Sequence, residues 1–172
     1  MGQLFIKSQY ASGDHLLSIG GIENKIKFLE KGIVHQYRLT ESGELITINI
    51  AIPGMFFNSF TSYSLSKPSL QQQTAIREVE IFSISKEIVD QLAKTNHAFC
   101  YYYMKQQEHI HLERELRSRI LQSKSASKRF KQFIELDKKA KYYLNNVPNK
   151  VVARYLNLTA ETFSRVKSKH YS

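Results

Sequence analysis

Val147-Pro148-Asn149-Lys150-Val151-Val152-Ala153-Arg154-Tyr155-Leu156-Asn157-Leu158-Thr159-Ala160-Glu161-Thr162-Phe163-Ser164-Arg165-Val166 holds two short helical patterns and the turn between them. Asn149 to Tyr155 places Val151, Val152 and Tyr155 as apolar positions of a short helix. Leu156-Asn157-Leu158 ends it, and Asn157 tolerates the left-handed conformation such an ending needs. Thr159 is a good N-cap, because its hydroxyl can accept from the free N–H groups of the next helix. Ala160 to about Lys169 forms that helix. Phe163 and Val166, three apart, bury one face, while Glu161, Thr162, Ser164, Arg165, Lys167 and Lys169 occupy the others. Two short helices, a tight turn and a basic second helix make a helix-turn-helix.

Charge points the same way. Of 172 residues, 25 are Lys or Arg and 15 Asp or Glu, a net charge of +10. Residues 1–95 hold nine of each sign, whereas residues 96–172 hold sixteen basic and six acidic. All of the surplus therefore lies in the second half, which implies a polyanionic partner for that half. A major groove about 12 Å wide admits a helix leading with its N-terminal residues. Glu161 can accept from a cytosine amino group, and Arg165, one turn on, can grip guanine O6 and N7. Ser164 and Thr162 are short donors for base edges or phosphates. Lys150, Arg154, Thr159, Lys167 and Lys169 are candidate backbone contacts.

The first half reads as strands: Lys25–Glu30, Ile33–Leu39, Leu45–Ile50, Thr74–Ile76 and Val79–Ser85, with turns at Lys31-Gly32, Thr40–Gly43 and Pro53-Gly54. Ile33, His35, Tyr37 and Leu39 are expected on one face, with Val34, Gln36 and Arg38 on the other. Short strands at regular spacing suggest a β-barrel or roll. Ser62 to Gln73 is polar and reads as a loop with at most one helical turn. Lys86–Thr95 is a short helix. His97 to Gln122 contains no Gly or Pro and reads as one helix of 26 residues, roughly 39 Å long. Phe99, Tyr102, Tyr103, Gln106, His109, Ile110, Leu112, Leu116 and Ile120 form a stripe of near-heptad spacing. A helix this long in a small protein is expected to pair with its twin, with Phe99, Tyr103, Gln106, Ile110, Leu116 and Ile120 at the seam. Ser127–Leu136 and Ala140–Leu144 are shorter helices. The organisation expected is α+β: a roll over 1–95, a dimerisation helix over 96–122 and a helix-turn-helix over 123–172.

Several classes are excluded or disfavoured. No run of about 18 apolar residues exists, so no membrane partner is expected. The N-terminus lacks a signal-peptide core, so a cytoplasmic location is expected. A lone Cys100 excludes an internal disulfide and multi-cysteine metal sites. His109 and His111, two apart on the long helix, point to different faces, so no metal site is expected. No nucleophile–base pair, phosphate-cradling Gly-rich loop or paired carboxylate site is evident, so the chain is not expected to be an enzyme.

The order of roll, long helix and helix-turn-helix resembles the Crp/Fnr family of transcription regulators. Val147 to Val166 looks like that family's C-terminal motif, most of all in the Bacteroidetes-type subgroup. Phe28-Leu29-Glu30-Lys31-Gly32 and Pro53-Gly54-Met55-Phe56 match the turns of its roll. The resemblance implies an antiparallel β-roll similar to cyclic nucleotide-binding domains, a homodimer, double-stranded DNA as partner and RNA polymerase as a candidate partner. It implies base contacts by Glu161, Ser164 and Arg165 and a palindrome of TTGA- or GTGA-like half-sites. A basic residue that the cyclic-AMP branch carries just before the Glu is Ala160 here.

The sensor half departs from the family pattern. The Gly-Glu-Leu segment whose Glu holds the ribose of cyclic AMP is replaced by Asn58-Ser59-Phe60. The Arg-Ser pair that grips the phosphate is replaced by Ser69-Leu70. Burying a phosphate without a cation is costly. Cyclic AMP is therefore not expected to bind in the usual way, and no cofactor is expected. Asn58, Ser59, Ser69 and Leu70 remain candidate pocket residues for another small-molecule effector. The chain begins within the first strands and ends soon after the second helix, so the family's N-terminal helix and most of its wing are expected to be missing. The rival readings are a small-molecule-binding roll that has lost DNA binding, and a dimerising interaction protein with neither ligand.

Overall fold

The computed structural model describes residues 4–171. Two compact units divide the chain, Met1–Phe99 and Cys100–Ser172.

In the first unit, alternating apolar positions build two antiparallel four-stranded sheets. One has the order β1 (Ile6–Tyr10), β8 (Val79–Ser85), β3 (Lys25–Lys31), β6 (Phe56–Phe57). The other has the order β2 (His15–Leu17), β7 (Gln72–Ala75), β4 (Val34–Leu39), β5 (Leu45–Ala51). Leu29, Val34, Ala51, Phe57, Ala75, Val79 and Ile81 form a shared core. Each large aliphatic side chain buried this way contributes roughly 1.5–3 kcal/mol. The turn between β3 and β4 depends on Gly32. Its φ is +91°, and a Cβ there would meet the Glu78 carbonyl at 2.3 Å. The expected strands are present, and Val79–Ser85 matches to the residue. The two-residue and three-residue strands β6 and β2 are too short to show a pattern in sequence.

The alternation expected along β4 does not hold. Val34, His35 and Gln36 are all buried, and a register shift falls between Gln36 and Tyr37. Both faces of this stretch are covered, and the polar side chains there find partners. His35 Nε2 lies 2.9 Å from Thr47 Oγ1, and Gln36 Nε2 donates to the Asn58 carbonyl at 3.1 Å. The polar loop after β6 begins with a helix, α1 (Phe60–Leu65), closed by Ser66 in the left-handed region at φ 53°. The roll ends in α2 (Lys86–Thr95), capped by the Ser85 hydroxyl, which accepts from Ile88 N–H at 3.4 Å.

The long helix is α3 (His97–Leu121). Of its residues, Ile120 is buried and Phe99, Tyr103, Gln106, Ile110 and Leu116 are half-buried. The wider stripe expected from sequence is narrower in the structure. Tyr102 is 51% exposed, Leu112 is 64% exposed, and His109 is also exposed. Burial at Glu113 and Arg117 instead follows their polar partners: Lys139 Nζ lies 2.9 Å from Glu113, and Arg117 donates to the Tyr155 carbonyl.

The second unit is completed by α4 (Ala126–Leu136), α5 (Ala140–Asn146), α6 (Asn149–Tyr155) and α7 (Ala160–Tyr171). Phe130 and Phe133 from α4, Tyr143 from α5, Val152 and Tyr155 from α6, and Phe163 and Val166 from α7 are its core. Their rings meet mostly at tilted or edge-on angles, Phe130 on Phe163 at 5.6 Å and Tyr143 on Tyr155 at 5.4 Å.

Candidate nucleic-acid interface

The helix pair forms as its residues dictate. Asn157 takes φ 52°, so the chain leaves α6 through a left-handed residue. Thr159 then opens α7. Its hydroxyl accepts from Thr162 N–H at 3.1 Å and donates to Thr162 Oγ1 at 2.9 Å, while its carbonyl accepts from Phe163 N–H at 2.9 Å. Phe163 and Val166 are buried, which fixes the rotation of α7 about its axis. Glu161, Ser164 and Arg165 are consequently exposed together on the opposite face, since residues three and four apart share one side of a helix. Among the described residues no ion pair joins Glu161 to Arg165.

The candidate backbone contacts divide. Lys150 and Lys169 are exposed, and Arg154 is half-buried near the end of α6. Lys167 donates to Asn149 Oδ1 at 3.2 Å and lies 5.9 Å from the Phe163 ring centroid, so it also ties α7 to the start of α6. The hydroxyls of Thr159 and Thr162 are engaged with each other. Ser168, one turn beyond Ser164, shares the exposed face; its type is too common for sequence reasoning to single it out.

Sequence reasoning also missed what holds the turn. Arg117 Nε and Nη2 donate to the Tyr155 carbonyl at 3.2 and 3.0 Å, and its guanidinium sits 4.3 Å from the Tyr155 ring centroid. Burial pulls this guanidinium below its ordinary pKa, with Tyr155 and Tyr143 opposing. Arg129 Nη1 donates to the carbonyls of Leu156 and Asn157 at 3.0 and 2.8 Å. Nothing in sequence separates these two arginines from the fourteen other basic residues of this half.

In the roll, the structure brings Ser59 and Ser69 together and separates the other two candidates. The Ser59 and Ser69 side chains are buried, with their Oγ atoms 2.8 Å apart. The Asn58 carbonyl accepts from Gln36, and Leu70 points outward, 74% exposed. Beside Ser59 lies a pair that sequence reasoning missed. Glu23 and Lys27 are 3% and 4% exposed, and Lys27 Nζ donates to both Glu23 oxygens, to Oε1 at 2.6 Å. Ser59 N–H and Gln73 Nε2 add donors to Glu23 Oε2 at 3.3 and 3.0 Å. A carboxylate and a cation are thus present near the substituted positions, and each neutralises the other. Burial pushes Lys27 below the ordinary lysine range, with Glu23 pulling the other way. Alternation along β3 places Lys27 with buried Leu29, the one sequence signal that could have found it.

Comparison with known proteins follows this division. Residues 7–96 match the family model of the cyclic nucleotide-binding domain, more than half of the chain. No curated protein matches by sequence. Among solved structures, FixK2 from Bradyrhizobium japonicum superposes with a TM-score of 0.80 at 17% identity, covering 98% of this chain and 85% of its own. A CooA mutant from Carboxydothermus hydrogenoformans gives 0.74 at 15% identity, with 97% and 76% covered. A CRP-family transcriptional regulator from Thermus thermophilus gives 0.71 at 15% identity, with 95% and 84% covered. No helix among the described residues is long and apolar enough to cross a membrane. By its first half the chain belongs to the cyclic nucleotide-binding domain family, and over nearly its whole length it has the fold of the Crp/Fnr regulators.

Proposed function

We propose that this protein is a homodimeric, sequence-specific DNA-binding transcription regulator of the Crp/Fnr type, with α7 as its recognition helix. One observation carries the reading: Glu161, Ser164 and Arg165 are exposed together on the face of α7 opposite Phe163 and Val166. The concentration of the charge surplus in residues 96–172 supports it. So does the fold shared with a protein described as a CRP-family transcriptional regulator. Glu161 faces a cytosine and Arg165 a guanine, each good bidentate contact giving about 1–3 kcal/mol of discrimination. Lys150, Arg154, Lys167 and Lys169 supply phosphate contacts and Thr159 and Thr162 line the backbone. Two copies pair along α3 through Phe99, Tyr103, Gln106, Ile110 and Leu116, while Ile120, already buried within its own chain, backs the seam from inside. Their recognition helices then enter successive major grooves about 34 Å apart. The roll does not take cyclic AMP in the usual way, because Ser59 and Ser69 stand where the carboxylate and the cation would be.

The test is titration of the full chain against a labelled palindrome of TTGA-type half-sites and against random duplex of equal length, across a salt series. The reading expects tighter binding to the palindrome at every salt concentration, with two chains per duplex. Equal affinity for both duplexes would overturn sequence-specific recognition.

A further inference from the structure

We infer that Arg129 is a positioning residue that locks the orientation of the recognition helix to the end of the long helix. Arg129 lies in the first turns of α4 and reaches two other places at once. Its Nε and Nη2 donate to the Ser123 carbonyl, at 3.1 and 2.7 Å, in the junction between α3 and α4. Its Nη1 donates to the carbonyls of Leu156 and Asn157, in the turn between α6 and α7. Ser123 is itself held, because its hydroxyl donates to Gln132 Oε1 on α4 at 2.5 Å. One planar fork therefore joins the junction after the long helix to the turn before the recognition helix.

The carbonyls it takes are ones a helix end leaves without partners. With Arg117 on the Tyr155 carbonyl, three successive carbonyls at the end of α6 accept from guanidinium groups. The partial negative charge of a helix C-terminus favours cations there. Arg129 is not the turn's sole support. Leu158 N–H donates to the Ala153 carbonyl at 2.9 Å, Thr159 caps α7, and Phe163 is buried. Arg129 adds the link between the turn and the junction. A lysine would keep the charge and lose the fork, so it could not hold both ends.

The structural part stands on these bonds alone; its consequence for DNA rests on the function proposed above. Hydrogen exchange and DNA binding of the full chain therefore test R129K along separate arms. In the free protein, the Leu158 and Phe163 amides should exchange about tenfold faster in the variant, while amides of α5 and of the roll keep their rates. The ratio of affinities for a TTGA-type palindrome over random duplex should fall about tenfold, with the salt dependence unchanged, because Arg129 holds carbonyls and not phosphates. Unchanged exchange at Leu158 and Phe163 overturns the inference. So does faster exchange throughout the second unit, which marks general destabilisation. Equal weakening on both duplexes with a shallower salt slope also overturns it, since that identifies a phosphate contact. If the unaltered chain does not distinguish the two duplexes, the DNA reading fails and the exchange measurement alone decides the lock.

Discussion

Ser59 and Ser69 face each other inside the roll, hydroxyl to hydroxyl at 2.8 Å, although ten residues separate them in the chain. The Ser69 hydroxyl also donates to the Gln71 carbonyl at 2.9 Å and accepts from Gln71 N–H at 3.0 Å. The nearby Glu23 carboxylate draws on the Ser59 N–H. The two hydroxyls are directed at each other, and the adjacent ammonium, Lys27, is already paired. Calorimetric titration with cyclic AMP should therefore give no saturable heat. Micromolar binding would show that the cyclic phosphate finds a cation elsewhere.

The Glu23–Lys27 pair is buried from both sides, so removing one partner should cost far more than removing both. Glu23→Gln leaves the ammonium without its counter-charge and should destabilise the roll by about 3 kcal/mol. Adding Lys27→Met should recover most of that loss. Urea unfolding followed by circular dichroism measures both. Additive losses in the double variant would show that the two groups do not interact.

Gly32→Ala tests the turn between β3 and β4. The added Cβ would meet backbone, the Glu78 carbonyl, at a φ that side chains rarely adopt. A loss of about 3 kcal/mol or more is expected, read as a lower unfolding midpoint. A stability change within experimental error would mean that β8 can shift to make room.

Arg165 and Lys169 are both exposed on α7, and they should fail differently when truncated. Arg165→Ala should lose discrimination between palindrome and random duplex, by about 1–3 kcal/mol. Lys169→Ala should weaken binding to both alike and reduce the salt slope by about one. The same affinity profile for both variants would remove the distinction between base reading and charge neutralisation.

Asp137 should give the second unit a pH dependence whose sign follows from its burial. Burial raises its carboxyl above the ordinary 3.8; the Lys139 N–H and charge oppose this, Glu113 adds to it, and the weak bond from the Tyr155 hydroxyl at 3.4 Å opposes it. Between the ordinary and the raised value the folded chain holds a proton that the unfolded chain has released. Its contribution to stability therefore falls as pH rises through that window. Asp137→Asn cannot titrate. The stability of the variant relative to the unaltered chain should rise across the window and level off above it. A difference that is flat with pH, or that runs the other way, would place the carboxyl at or below its ordinary value.

The helix boundaries were legible in the chain because they rest on local chemistry. Asn157 ends one helix through its own backbone tolerance, and Thr159 begins the next through a hydroxyl within reach of neighbouring amides. Phe163 and Val166 mark the buried face by spacing alone, and the opposite placement of Glu161 and Arg165 follows. Val79–Ser85 was equally plain, since a short run rich in Val, Ile and Phe favours a strand by local composition. Tertiary structure decided what depends on residues far apart in sequence. Lys27 reads as a solvent-facing charge until Glu23, Ser59 and Gln73 close around the pair. The alternation of His35 and Gln36 fails because both faces of β4 are covered there. Arg117 and Arg129 look like any other basic residues of a positive half, and only folding brings them to the carbonyls that end α6. Side-chain period and capping act over a turn or two, whereas partners for buried charges and for open carbonyls come from whichever segment the packing brings near.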